Sequence, residues 1–193
     1  MATTLAKIHA FNIQRIAPLH GCVLEGNEVA EALRLYDIWS RYEVETDGVL
    51  VAYASIYGNT AAVAHCIAER LRIKGVEVNE IDLCRSDVSE AVSLAFRYGK
   101  MVLCAASYDG GVFPPMHAFL YKLGIKGYQS RRVGVVENGT WAPTAGKTIC
   151  SILQQMKNVE IVSPVLTIRS AWKEDYQQDL EALLAGVIGE ECM

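Results

Sequence analysis

A doubly wound α/β fold, with five parallel strands covered by helices on both faces, is what this sequence predicts for residues 48–193. Three observations carry the prediction. Short apolar runs, such as residues 49–54 and 101–106, lack the alternation of a half-solvated sheet and read as strands buried on both faces. Segments with apolar residues spaced for an amphipathic helix separate them. The two patterns alternate five times, which implies parallel strands joined by crossover helices. Pattern alone leaves both common doubly wound orders open, and a count of five strands favours the order 2-1-3-4-5 over the six-stranded arrangement.

The first strand, residues 49–54, leads into a helix over residues 59–74, striped by Val63, Ile67 and Leu71 and closed by Gly75. Residues 76–83 form a second strand whose polar interruptions suit a place near an edge. Ser86 caps a helix running to about Tyr98, with Gly99 ending it. Residues 101–106 are the third strand, and Pro114-Pro115 opens a short helix through Phe119, Leu120 and Leu123. Residues 132–136 are the fourth strand. Pro143 begins a helix whose apolar face carries Ile149, Ile152, Leu153 and Met156. The fifth strand lies within residues 159–168, and the last helix, residues 174–187, turns Leu180, Leu183 and Leu184 inward.

Residues 1–47 fall outside this rhythm. Ile8 to Ile16 alternates loosely, as a strand would; Pro18-Leu19-His20-Gly21 is a turn; Asn27 caps a helix carrying Val29, Leu33, Tyr36 and Trp39.

Composition narrows the function classes. A chain of 193 residues that is 51% hydrophobic supports one sizeable core. A net charge of -4 without a basic cluster argues against a nucleic-acid partner. None of the six cysteines, Cys22, Cys66, Cys84, Cys104, Cys150 and Cys192, forms a CxxC pair. Cys66 and Cys104 fall on apolar faces, as reduced core residues of a cytoplasmic protein do. The start of the chain lacks the pattern of a signal peptide, and no apolar run reaches the roughly 18 residues of a membrane span.

In a doubly wound sheet, ligands bind beyond the C-terminal ends of the strands. Three strand-to-helix loops there are chemically unusual. The first is Ser55-Ile56-Tyr57-Gly58-Asn59-Thr60. It offers hydroxyl and amide donors, a glycine for a tight turn, and the free backbone N–H groups of a helix start, which together favour a phosphate. It has neither the lysine of a P-loop nor the GxGxxG of a dinucleotide site. The second loop is Ser107-Tyr108-Asp109-Gly110-Gly111-Val112-Phe113-Pro114-Pro115. Its adjacent glycines let backbone lie close to a flat ligand, and Tyr108 is placed to stack on one. The third is Glu137-Asn138-Gly139-Thr140-Trp141-Ala142-Pro143, where a tryptophan beside a polar turn suggests a stacking wall. A phosphate cradle next to two aromatic, glycine-bearing loops describes a site for FMN. The protein would hold the ring and tune it, with Asp109 and Glu137 flanking it and disfavouring its fully reduced, anionic form.

These three loops resemble the flavin loops of A-type flavoproteins, the flavodiiron family, and the resemblance covers residues 48–193. Ile16-Ala17-Pro18-Leu19-His20-Gly21, followed by Leu35-Tyr36-Asp37-Ile38-Trp39, resembles the end of that family's metallo-β-lactamase-like domain, so residues 1–47 are expected to be its remnant. The resemblance implies a flavodoxin-like domain that binds FMN through residues 55–60, Ser107, Tyr108, Asp109, Gly110, Gly111, Asn138, Gly139, Thr140 and Trp141. It also implies electron transfer from rubredoxin-like or NADH-linked donors, and head-to-tail homodimers. His20 matches a late iron ligand of the family, but the H-x-E-x-D-H stretch of a diiron site is missing and one histidine cannot hold two irons. No metal site and no catalytic residue are therefore assigned. Two other readings compete: an NAD(P)H-dependent quinone or flavin reductase on the same fold, and a receiver-type signalling domain. The latter requires an acidic pair after the first strand, where Ser55 and Ile56 stand.

Overall fold

The computed structural model describes residues 2–189; Cys192 lies outside them. The chain divides into two compact units, Met1–Glu45 and Thr46–Met193. The first unit contains α1 (Ala2–Ile8), β1 (Arg15–Ile16), β2 (Leu24–Glu25) and α2 (Asn27–Ser40). Residues 8–16, expected to be extended, are so only at Arg15 and Ile16, which pair antiparallel with Glu25 and Leu24. Helix α1 buries Leu5 among exposed neighbours, too sparse an apolar stripe to register as a helix in sequence. Gly26, at φ 58, caps α2 in place of the expected Asn27, which is the first helical residue. His9 Nε2 lies 2.8 Å from Asp37 Oδ2. His20 is exposed.

The second unit follows the predicted rhythm: β3 (Thr46–Ala54), α3 (Asn59–Ile73), β4 (Val78–Asp82), α4 (Val88–Arg97), β5 (Tyr98–Tyr108), β6 (Gly111–Val112), α5 (Pro114–Ile125), β7 (Arg132–Asn138), α6 (Ala145–Leu153), β8 (Glu160–Ile161), β9 (Leu166–Ile168) and α7 (Gln177–Ile188). The sheet runs β4-β3-β5-β7 and then an outer position shared by β8 and β9, all parallel. This is the order 2-1-3-4-5.

Alternate residues of β3 feed two cores. Val49, Val51 and Tyr53 pack with Val63, Ile67 and Leu71 of α3 and Leu183 and Val187 of α7. Leu50, Ala52 and Ala54 pack on the other face with Phe119 and Leu120 of α5 and Ile149 and Leu153 of α6. Each fully buried aliphatic side chain contributes about 1.5–3 kcal/mol, so the loops beyond the strands hang from a rigid frame. Cys104, in β5, is fully buried, and that burial pushes its thiol well above the ordinary range.

The fifth strand is not continuous. Arg132 faces Glu160 and Val136 faces Leu166, so residues 162–165 span the two residues Gly134 and Val135. That excursion contains Pro164, which has no N–H to give the ladder. Helix α4 is capped by Asp87 rather than Ser86: Asp87 Oδ1 accepts from Ser89 N at 2.6 Å, which holds its carboxyl below the usual range. At the opposite end of the sheet the Arg131 guanidinium, nearly buried, donates to the carbonyls of Phe96 (2.9 Å), Tyr98 (3.0 Å), Ser130 (3.2 Å) and Gln129 (3.3 Å).

Candidate cofactor site

The three predicted loops lie at the C-terminal edge of the sheet. In the first, Gly58 caps α3 at φ 90, a left-handed conformation that favours glycine. Ser55 Oγ accepts from Gly58 N at 3.1 Å and draws the loop into its turn. Thr60 is buried although polar, while Tyr57 is 92% exposed. Helix α3 has no side-chain cap, so its first-turn amides have no side chain to bond.

The second loop is tighter than its glycines suggest. β5 and β6 form an antiparallel hairpin, Ser107 opposite Val112 and Tyr108 opposite Gly111. Asp109 (φ 46) and Gly110 (φ 72) are its two turn residues, both at the positive φ that a type I′ turn demands. Gly110 serves that turn, and a Cβ on Gly111 would meet only ordinary contacts. Tyr108 remains 44% exposed, its ring 5.7 Å from that of Phe113.

The third loop is braced to the second. Ser107 Oγ accepts from Thr144 N (2.9 Å) and Ala145 N (3.1 Å), and Thr144 Oγ1 donates to Gly111 O at 2.9 Å. Gly139 allows the close approach, because a Cβ there would lie 2.9 Å from Ser107 Oγ and 3.1 Å from Pro143 Cα. Trp141 projects from the loop 98% exposed.

Glu137, expected beside a bound ring, is turned inward. Its side chain is buried: Oε2 accepts from Gly146 N at 2.7 Å and Oε1 from Thr167 Oγ1 at 2.9 Å. A carboxylate ending a buried strand turns to the helix N-terminus behind it, where donors replace lost water. Asn138 is likewise engaged. Its Oδ1 accepts from Ser170 N at 3.0 Å and its Nδ2 donates to Ser170 O at 2.8 Å. Ser170, absent from the sequence reading, belongs to a fourth loop after β9. Sequence offered only its position after a strand at this edge as a signal.

Ile56, Tyr57, Asn59, Thr60, Ser107, Asn138, Gly139 and Thr140 line one cleft of about 200 Å³, together with Ala106 and Ser170. Ser55 and Gly58 shape the first loop from behind; Tyr108, Asp109, Gly110, Gly111 and Trp141 lie outside the lining. A larger cleft of about 400 Å³, bounded by Tyr121, Ile125, Met156 and neighbours, sits beside the residues leading into β7, at the opposite edge.

Five helices start at the site edge, and three of them, α4, α5 and α6, are closed to an anion. Asp87 occupies the first turn of α4. Pro114-Pro115 removes N–H groups from α5. Ser107 and Glu137 occupy the amides of Thr144, Ala145 and Gly146 at α6. Helices α3 and α7 have no side-chain cap; of the two, α3, 15 residues long, brings Asn59 and Thr60 to the cleft, whereas no residue of α7 lines it. The neutral Ser, Asn and Thr donors of the cleft, with the exposed rings of Tyr57, Tyr108 and Trp141 on loops at the same edge, fit a phosphorylated planar ring. Among the described residues, no group of three or more His, Cys, Asp or Glu side chains is arranged to hold a metal ion, and no helix is long and apolar enough to cross a membrane.

Residues 51–182 match the flavodoxin family model. The coenzyme F420H2 oxidase of Methanothermobacter marburgensis is 31% identical over 115 residues, 59% of this chain and 28% of that protein. The chain spans less than half the length of the curated relatives it matches. In fold it is similar to the rubredoxin:oxygen oxidoreductase of the anaerobe Desulfovibrio gigas, with a TM-score of 0.86 at 16% identity, over 97% of this chain and 47% of that one. Flavodoxin 1 of Bacillus cereus matches with a TM-score of 0.66 at 18% identity, over 76% of this chain and 100% of its own. The chain belongs to the flavodoxin family, and the flavodiiron protein of Giardia intestinalis matches its fold over 98% of its length.

Proposed function

We propose that this chain binds FMN at the C-terminal edge of its sheet and serves as an electron-transfer domain. Family membership makes the cofactor a flavin. The observation that supports the mononucleotide is the uncapped N-terminus of α3, which brings Asn59 and Thr60 to the cleft, whereas the first turns of α4, α5 and α6 are closed. When bound, the flavin supplies the redox chemistry. The residues of this chain do the rest. The α3 amides and Thr60 hold the phosphate; Tyr108 and Trp141 stack on the ring and shield it; Gly139 and Asn138 hold the loop that carries Trp141. With Glu137 turned inward, Asp109 is the remaining acid of the pair beside the ring.

The flavodiiron likeness extends the proposal: residues 1–47 are the end of a metallo-β-lactamase-like domain, and the electrons come from a rubredoxin-like or NADH-linked protein donor. The first unit supports this by leaving Phe11 (72%) and Leu19 (96%) exposed, apolar surface suited to packing on further protein. Head-to-tail pairing with a second copy fits the same likeness. The purified protein is expected to be yellow, absorbing near about 450 nm, and to release FMN on denaturation. A colourless protein that refuses added FMN would overturn the proposal.

A further inference from the structure

The loop after β9 is tied into the cofactor site more firmly than its exposure suggests. Ser170 sits at φ 68, a conformation that non-glycine residues seldom adopt without support. Here Asn138 provides it, bonding both the Ser170 amide and the Ser170 carbonyl from a side chain that is itself only 8% exposed. Gly139 N adds a bond to Ile168 O at 3.0 Å, which fixes the start of the same loop. The result points the Ser170 hydroxyl toward the first loop, where Asn59 Nδ2 reaches Ser170 Oγ at 3.5 Å. Ser170 thereby lines the same cleft as Thr60.

We infer that Ser170 is a phosphate ligand and that the β9–α7 segment is a fourth cofactor loop, with Asn138 as its positioning residue. The inference rests on the FMN reading above. The chemistry is direct: Ser170 Oγ accepts from Asn59, which leaves its own O–H to donate. The acceptor at the mouth of an uncapped helix N-terminus is an anion. An O–H aimed at a phosphate oxygen contributes to the choice of FMN over riboflavin, which lacks the phosphate and is otherwise the same ligand.

The test is Ser170→Gly, titrated with FMN and with riboflavin by quenching of flavin fluorescence. Glycine accepts φ 68 without strain and keeps both backbone bonds to Asn138, so the fold is retained and only the hydroxyl is lost. FMN is expected to bind about tenfold more weakly and riboflavin unchanged, as befits the loss of one hydrogen bond to a charged group. Unchanged FMN affinity, or an equal loss for both ligands, overturns the assignment while leaving the flavin site intact. A wild-type protein that binds neither ligand overturns the FMN reading and this one with it. Asn138→Ala gives a second check. It removes both bonds to the Ser170 backbone without adding charge, and it should lower FMN affinity in the wild-type background but add little to Ser170→Gly; a full additional loss in the Ser170→Gly background overturns the positioning role.

Discussion

Ser107→Ala tests how the ring-side half of the site is held together. The wild-type hydroxyl oxygen accepts two backbone N–H groups, from Thr144 at 2.9 Å and Ala145 at 3.1 Å, where α6 begins. Alanine leaves both donors without that acceptor. A fully buried orphan costs about 1–3 kcal/mol, but these two lie in part-buried surroundings beside a cleft that water can enter, so a total of about 1–2 kcal/mol is expected. For a chain of 193 residues that is a fall in Tm of about 2–8 °C, read by thermal unfolding of the flavin-free protein. The third loop also loses its anchor at Thr144, and flavin binding must then re-impose order. About 1 kcal/mol of added ordering cost weakens FMN and riboflavin alike by about fivefold. Equal loss for the two ligands is the signature, because the brace supports the ring rather than the phosphate. Unaltered Tm with unaltered affinities would refute the bracing role, and a loss confined to FMN would move Ser107 to the phosphate end.

Trp141→Ala removes a side chain that is 98% exposed, so the flavin-free Tm should stay within about a degree while FMN and riboflavin both bind roughly tenfold more weakly in a fluorescence titration. Gly134→Ala drives a Cβ to within 2.7 Å of Val187 Cγ2 and should cost about 1–3 kcal/mol in urea unfolding with flavin affinity retained. Arg131→Met abandons the carbonyls of Phe96 and Tyr98 and should cost about 2–4 kcal/mol by the same measurement. Asp87→Ala carries a pH signature: the folded carboxyl is held low by the Ser89 amide, so its stabilisation is present above the unfolded pKa and disappears as pH falls through the folded one. Unfolding curves of variant and wild type should therefore converge in acid.

What sequence revealed here was whatever depends on neighbours along the chain. The apolar run of residues 49–54, the helix stripe after it and the donor-rich residues 55–60 are local patterns, and each stands in the structure as β3, α3 and the loop between them. Contacts that cross the sheet were not legible. Ser170 stands 111 residues from Asn59 and 32 from Asn138, and nothing in Arg169-Ser170-Ala171 resembles a turn signature. Glu137 and Asn138 read as ring-side ligands because they end a strand at the correct edge. Which way a strand-terminal side chain turns depends on the donors behind it, supplied here by Gly146, Thr167 and Ser170. The broken outer strand has the same origin: Val165 lies against Gly146 and Val162 against Gly186, contacts that no short-range pattern announces.

The cross-braces also bear on how a flavin would be held without a lysine. Serine 107 joins the second loop to the third, Asn138 joins the third to the fourth, and Ser170 joins the fourth to the first. Between the fixed points at Gly139 N and Thr144 N only four residues, 140–143, remain unanchored by these bonds, and Trp141 is among them. Ordering a residue costs about 1–2 kcal/mol, so restricting the free span to four residues caps the entropy that stacking must overcome. A neutral phosphate site gains less from charge than a lysine-bearing one does, and its affinity then depends on donors already aimed before the ligand arrives. The series of loop-to-loop hydrogen bonds, running from the second loop through the third and fourth to the first, supplies that alignment, which is why a brace such as Ser107 and a ligand such as Ser170 are separable by experiment: one acts on every flavin, the other on the phosphate alone.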